Sequence, residues 1–150
     1  MRCWMMNNIE DLLRENYCQY RSRQGKRNLF KEIPVFSRSV DLVEYDTHLR
    51  KITAIEFKIK DWKKAIDQLI TVSPCFDYLV LCLPKPKTEK CLSNIKSTCS
   101  EAGIGLITWD SDNNVFTKEC NPKEVDNIWK VQKRQVISYI KDQRRENKDE

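Results

Sequence analysis

Three side chains in the middle of this 150-residue chain carry chemistry that residue type and spacing alone suggest: Asp41, Glu56 and Lys58. The run from Ile52 to Ile59 alternates as a strand does. Thr53, Ile55, Phe57 and Ile59 face one way, Ala54, Glu56 and Lys58 the other. Val40 to Tyr45 reads as a second strand and Thr47 to Arg50 as the polar turn between the two. Closing that turn with Asp46 opposite Lys51 sets Leu42 against Ile55 and Val40 against Phe57, two apolar pairs. The same register puts Asp41 directly opposite Glu56, their Cβ atoms about 5 Å apart, with Lys58 two residues along on that face. Carboxylates that close repel, and a hard divalent cation such as Mg²⁺ relieves the repulsion. Mg²⁺ keeps several waters and takes only one or two protein carboxylates plus phosphate oxygens, so the trio suits hydrolysis of a phosphodiester. Lys58 would orient or deprotonate the attacking water and offset charge building on the phosphate. The competing reading is two solvated carboxylates on an exposed sheet face, with Lys58 in an ordinary surface ion pair.

These residues need elements to position them. Asn8 to about Tyr20 carries Ile9, Leu12, Leu13, Asn16, Tyr17 and Tyr20 at helical spacing, with Asn8 as its cap. Leu29 to Val35 is a short extended run whose Pro34 suits a sheet edge or strand end. Asp61 is expected to cap a helix over Trp62 to Val72, with Trp62, Ala65, Ile66, Leu69 and Ile70 on one stripe and Gln68 near its edge. Tyr78 to Leu83 is continuously apolar, as strands buried on both faces are. Thr88 to Ala102 reads as a helix stopped by Gly103, Ile104 to Trp109 as a strand, and Val115-Phe116 as a short one after an Asp112-Asn113-Asn114 turn. Pro122 opens a long last helix through Ile128, Trp129, Val136 and Ile140, frayed from Arg144 onward. The order is α/β.

Composition narrows the class. Hydrophobic residues make up 40% and charged residues 33%, too apolar for wholesale disorder. No linker or repeat divides the sequence, so residues 1–150 are expected to form a single domain. No apolar run approaches the ~20 residues of a membrane-spanning helix. Met1 to Asn8 lacks a signal peptide's apolar stretch, so a cytoplasmic location is expected. The seven cysteines include no C-x-x-C spacing and read as small, reduced hydrophobes. A single histidine, His48, excludes H-E-x-x-H zinc chemistry, and three glycines are too few for a phosphate-cradling loop.

Asp41 followed by Glu56-Phe57-Lys58 resembles the signature of the PD-(D/E)XK nuclease superfamily, with Val40 where proline is common. The flanking segments are similar to its RecB-like and Mrr-like branches. These are Arg38 to Val43, Ala54 to Lys58 as a strand, Asp61 to Gln68 as the following helix, then Asp77 to Pro84 and Gly103 to Ile107 as further core strands. The resemblance covers roughly residues 8 to 110. It implies a restriction-endonuclease-like three-layer core, a central mixed sheet flanked by helices, here with an extra C-terminal helix. It also implies a nuclease acting on DNA, with Mg²⁺ as cofactor and Mn²⁺ able to substitute. Asp41, Glu56, Lys58 and Gln68 would be the catalytic set, Gln68 positioning the lysine or the water. Asp41 and Glu56 would hold the metal, with Glu10 or Glu15 of the first helix adding a contact.

The chain is mildly basic, with a net charge of +5, which permits a nucleic-acid partner without requiring one. Arg21, Arg23, Lys26 and Arg27 form a basic stretch between the first helix and the first strand, and Arg38 enters the next strand. All five are candidates for backbone phosphates, and solvated connector residues are the alternative. His48 in its turn is expected to be inert, and Trp62 and Trp129 to pack. The rival to an enzyme is a catalytically inactive nuclease-fold protein that binds nucleic acid or a protein partner. A homodimer is left open.

Overall fold

The computed structural model of the chain describes residues 2–26 and 28–149, with side chains over residues 9–26 and 28–145. Its elements run α1 (Arg2–Arg23), β1 (Leu29–Val35), β2 (Arg38–Asp46), β3 (Lys51–Phe57), α2 (Trp62–Val72), a 3-10 turn (Ser73–Cys75), β4 (Tyr78–Pro84), α3 (Glu89–Ala102), β5 (Gly105–Asp110), β6 (Val115–Cys120) and α4 (Lys130–Asp149). The strands form one mixed sheet in sequence order. β1–β2, β2–β3 and β5–β6 pair antiparallel, and β3, β4 and β5 run parallel.

Three layers follow from how the apolar residues are spaced. α1 covers one face alone, where Leu13 and Tyr17 pack on Leu42, Ile55, Phe57, Val80, Cys82, Ile107 and Trp109. α2, α3 and α4 cover the other, laying Ala65, Ile66, Leu69, Ile95, Cys99, Val136 and Ile140 against Ile52, Ala54, Leu79, Leu81, Leu83 and Leu106. β4 sits between both layers and so is apolar at every inward position. Among the described residues no helix is long and apolar enough to cross a membrane.

Several local expectations need correcting. α1 begins at Arg2, so Asn8 lies within the helix and does not cap it. Asp61 has φ 56° and makes no side-chain cap bond, because a capping side chain needs an extended backbone. Its carbonyl instead accepts from the Lys64 and Ala65 N–H groups at 3.0 and 3.3 Å. On α2 it is Val72 that is buried, while Ile70 is exposed. α4 starts at Lys130 rather than Pro122 and continues to Asp149. The segment before it is held by tertiary bonds that compete with helix: Lys123 N–H to the Gly103 carbonyl, Val125 N–H to that of Asp77, and Trp129 N–H to that of Pro74. Trp129 is consequently exposed, whereas Trp62 packs against the core.

Candidate active site

Two strands change face at the same level of the sheet. Phe30 and Ile33 of β1 both pack into the α2–α4 layer, as do Val40 and Val43 of β2. Residues three apart on an unbroken strand point to opposite faces, so both strands must switch between them. The switch falls at Glu32 and Asp41. Glu32 has φ 53°, a backbone that few non-glycine residues adopt. Asp41 is absent from both ladders: Lys31↔Leu42 and Ile33↔Val40 flank it on one side, and pairing with β3 ends at Leu42↔Ile55. The Asp46–Lys51 and Leu42–Ile55 pairs stand as the register requires. Val40 and Phe57 do not pair; they lie in the two different layers, because β2 has turned over between Leu42 and Val40.

The gap left by the switch is where the carboxylates meet. Asp41 N–H donates to Glu56 Oε1 at 3.4 Å, and Asp41 Oδ2 accepts from the Phe57 N–H at 2.9 Å. Glu56 is only 5% exposed. Burial pushes its carboxyl up to about 9, helped by the charge and contact of Asp41 and opposed by the Asp41 N–H and by Lys58. The two residues do not share one face as the simple alternation implies. Glu56 opens on the α2 side into a recess of about 390 Å³ shared with Arg38, Ser39, Lys64 and Gln68. Asp41 opens on the α1 side into one of about 300 Å³ shared with Glu10, Asp11, Arg14 and Glu32.

Lys58 follows β3, its N–H donating to the Cys82 carbonyl at 3.1 Å, and its charge acts on both Glu10 and Glu56. Glu10 is brought in from α1, where its Oε1 accepts from the Ile59 N–H at 3.4 Å. Burial raises its carboxyl, against the lowering effects of that N–H and of Lys58. Glu15 is turned away, since five residues on a helix rotate a side chain by about 140°. It pairs with Lys31 instead. Gln68 and Arg38 line the Glu56 recess.

The basic stretch does not reach it. Arg21 is a forked partner of Glu44, with Nε to Oε2 at 3.1 Å and both side chains largely buried. Glu44 lies three residues along β2 from Asp41, and Arg21 about 16 Å down α1 from Glu10. Lys26 lies 3.8 Å from Asp46 by the hairpin turn, Arg23 is exposed, and Arg27 lies outside the described residues. His48 is exposed in the turn.

Two cations at the site escaped the sequence reading. Lys64 stands one turn before Gln68, and Arg14 one turn after Glu10, so i, i+4 spacing was the available signal. Arg14 donates to Glu32 and Asp11 at 3.4 Å each, and its Nε is buried with no partner among the described residues.

Among the described residues no three of His, Cys, Asp and Glu come close enough to hold a metal ion. The donor set is therefore the Asp41–Glu56 pair. A buried carboxyl raised to about 9 beside a second carboxylate takes up either a proton or a cation. Two carboxylates are within what Mg²⁺ takes from a protein, and these two are in contact, although they open into separate recesses.

No family model matches the chain, and no curated protein does. Among solved structures it is similar to the SPO1766 protein of unknown function from Silicibacter pomeroyi. The TM-score is 0.58 at 12% identity, over 79% of this chain and 75% of that one. At that identity the likeness is one of fold.

Proposed function

We propose that the protein is a metal-dependent nuclease of the PD-(D/E)XK kind that hydrolyses phosphodiester bonds in DNA. The observation that carries the reading is the buried Glu56 carboxyl set against Asp41 where β2 leaves β3. A buried carboxyl pushed up beside a second carboxylate in a recess is the kind of arrangement that active sites use, and it supports the reading. Asp41 and Glu56 would hold Mg²⁺, with Mn²⁺ as a substitute. Bound there, the cation would lower the pKa of a water and polarise the scissile phosphate.

The chain's own groups supply the rest. Lys58 orients the attacking water and offsets charge on the phosphate. Glu10, anchored by the Ile59 N–H, lies within range of the charges of both Lys58 and Asp41. Gln68, Lys64 and Arg38 line the Glu56 recess, where they would position the substrate backbone.

The test is cleavage of duplex, single-stranded and forked DNA with Mg²⁺, with Mn²⁺ and with chelator, using Glu56→Ala as control. Cleavage that needs the ion and is lost in the variant is expected. The separation of Asp41 and Glu56 into two recesses favours one rival, a nuclease-fold protein that binds DNA without cutting it. Intact DNA under both ions, with binding retained, would establish that rival.

A further inference from the structure

A concentration of positive charge lies away from the carboxylates, between α4 and the β2–β3 hairpin. A recess of about 540 Å³ there is lined by Arg50, Lys130, Lys133, Arg134 and Lys141 around Tyr45, with no carboxylate in its wall. Lys133 is committed to the buried Asp77 at 2.8 Å. Arg50, Lys130, Arg134 and Lys141 are exposed and make no ion pair or side-chain hydrogen bond among the described residues. Lys130, Arg134 and Lys141 share one stripe of α4, and exposed Arg144 and Arg145 continue it. From Lys130 to Arg145 that stripe runs about 22 Å. Like charges gathered with few counter-charges among the described residues repel one another, and a polyanion would relieve that repulsion.

We propose that this groove is the surface that grips the DNA backbone, in place of the basic connector that follows α1. The identity of the polyanion rests on the nuclease reading; the groove itself rests on its charges. Its position suits the task. Tyr45 pairs with Ile52, and Ile52 precedes Glu56 by four residues on β3, a separation of about 13 Å. Tyr45 packs on the α2–α4 layer, and Val72 of that layer also lines the Glu56 recess, so groove and recess open on one side of the sheet. Thirteen ångström is about four steps of a nucleic-acid strand. Groove and recess are thus neighbours on that side of the sheet.

The test is fluorescence anisotropy of labelled duplex and single-stranded oligonucleotides over a salt series, without divalent ions. The groove variant is Arg50→Gln/Lys130→Gln/Arg134→Gln/Lys141→Gln, with Lys133 left to its buried partner. A control variant removes the same charge elsewhere, Lys87→Gln/Lys90→Gln/Lys96→Gln/Lys118→Gln, all exposed. Losing four phosphate contacts should flatten the slope of log affinity against log salt by about 3 units and weaken binding more than tenfold, with the control changing less than about threefold. The double variant Arg134→Glu/Lys141→Glu changes the charge by the same four units and should also weaken binding more than tenfold, and melting temperatures verify folding. Equal losses in groove and control variants, an unchanged slope, or no binding by the wild type would overturn the proposal. Cleavage is not the readout, so a wild type that binds through the groove but never cuts would sink only the nuclease reading.

Discussion

Asp41 and Glu56 are joined through main chain as well as charge: the Asp41 N–H donates to Glu56 Oε1, and Asp41 Oδ2 accepts from the N–H of Phe57, the residue after Glu56. Each carboxylate thus holds the other strand in place at the point where the ladder stops. Removing either group disturbs the geometry of both, which shapes how substitutions here should be read.

The pH dependence of stability is the first consequence. The folded Glu56 carboxyl is raised to about 9 from 4.5, so between those values the folded chain keeps a proton that the unfolded chain releases. Stability from this group is full below about pH 4.5 and drains away as pH rises towards about 9. Glu56→Gln keeps the shape and never ionises. Its melting temperature should match the wild type near the bottom of that window. Near the top it should exceed the wild type by the equivalent of roughly 1 to 3 kcal/mol, as for an uncompensated buried polar group. Parallel wild-type and variant curves across the window would refute the assignment.

Lys58→Ala should slow cleavage by roughly 10² to 10⁴-fold, the usual range for a positioned acid or base. DNA affinity without metal should stay within about twofold, because a single phosphate contact is the most it could supply. Single-turnover rates beside anisotropy decide this. Full-rate cleavage by the variant would remove Lys58 from the mechanism.

The two first-helix acids should behave differently. Glu10→Gln removes a half-buried carboxylate next to Lys58 and Asp41 and should cut the cleavage rate by tenfold or more, the scale of a supporting contact. Glu15→Gln removes only a surface pair with Lys31 and should change it by less than about twofold. Equal effects in rate assays of the two variants would contradict the placement of α1.

A fold-level prediction concerns Gly105, which starts β5. A Cβ there would stand 2.7 Å from Pro122 Cδ and 3.0 Å from its nitrogen, and neither can swing aside. Gly105→Ala should destabilise by roughly 1 to 3 kcal/mol, the cost of overpacking. Chemical denaturation of the variant against the wild type measures it.

The order of elements was legible because each was written in local periodicity. Period 2 marked β3, the 3.6 stripe marked α2, and the uninterrupted apolar run of β4 announced a strand covered on both faces. The turn closed by Asp46 and Lys51 fixed the hairpin register as far as Leu42 and Ile55. The choice of Asp41, Glu56 and Lys58 rested on residue type and spacing and that of Gln68 on the family resemblance; Asp41 meets Glu56 at the gap in the sheet, while Gln68 lines the recess on the Glu56 side.

What tertiary structure decided is where periodicity stops applying. The face switch at Glu32 and Asp41 depends on a left-handed residue that no glycine or asparagine flagged, held in place by β2 and by the layers on both sides. The start of α4 at Lys130 depends on carbonyls of Gly103, Pro74 and Asp77, distant in sequence, that take N–H groups a longer helix would have used. Arg21 was recognisable as a cation, but its burial against Glu44 was not, since ion pairing is settled by which strand lies across from the helix. The four cations around Tyr45 that make no ion pair among the described residues come from a hairpin turn and from a helix some eighty residues later. Local sequence encodes the bend and twist of each segment; which charges end up facing each other is a property of how the segments pack.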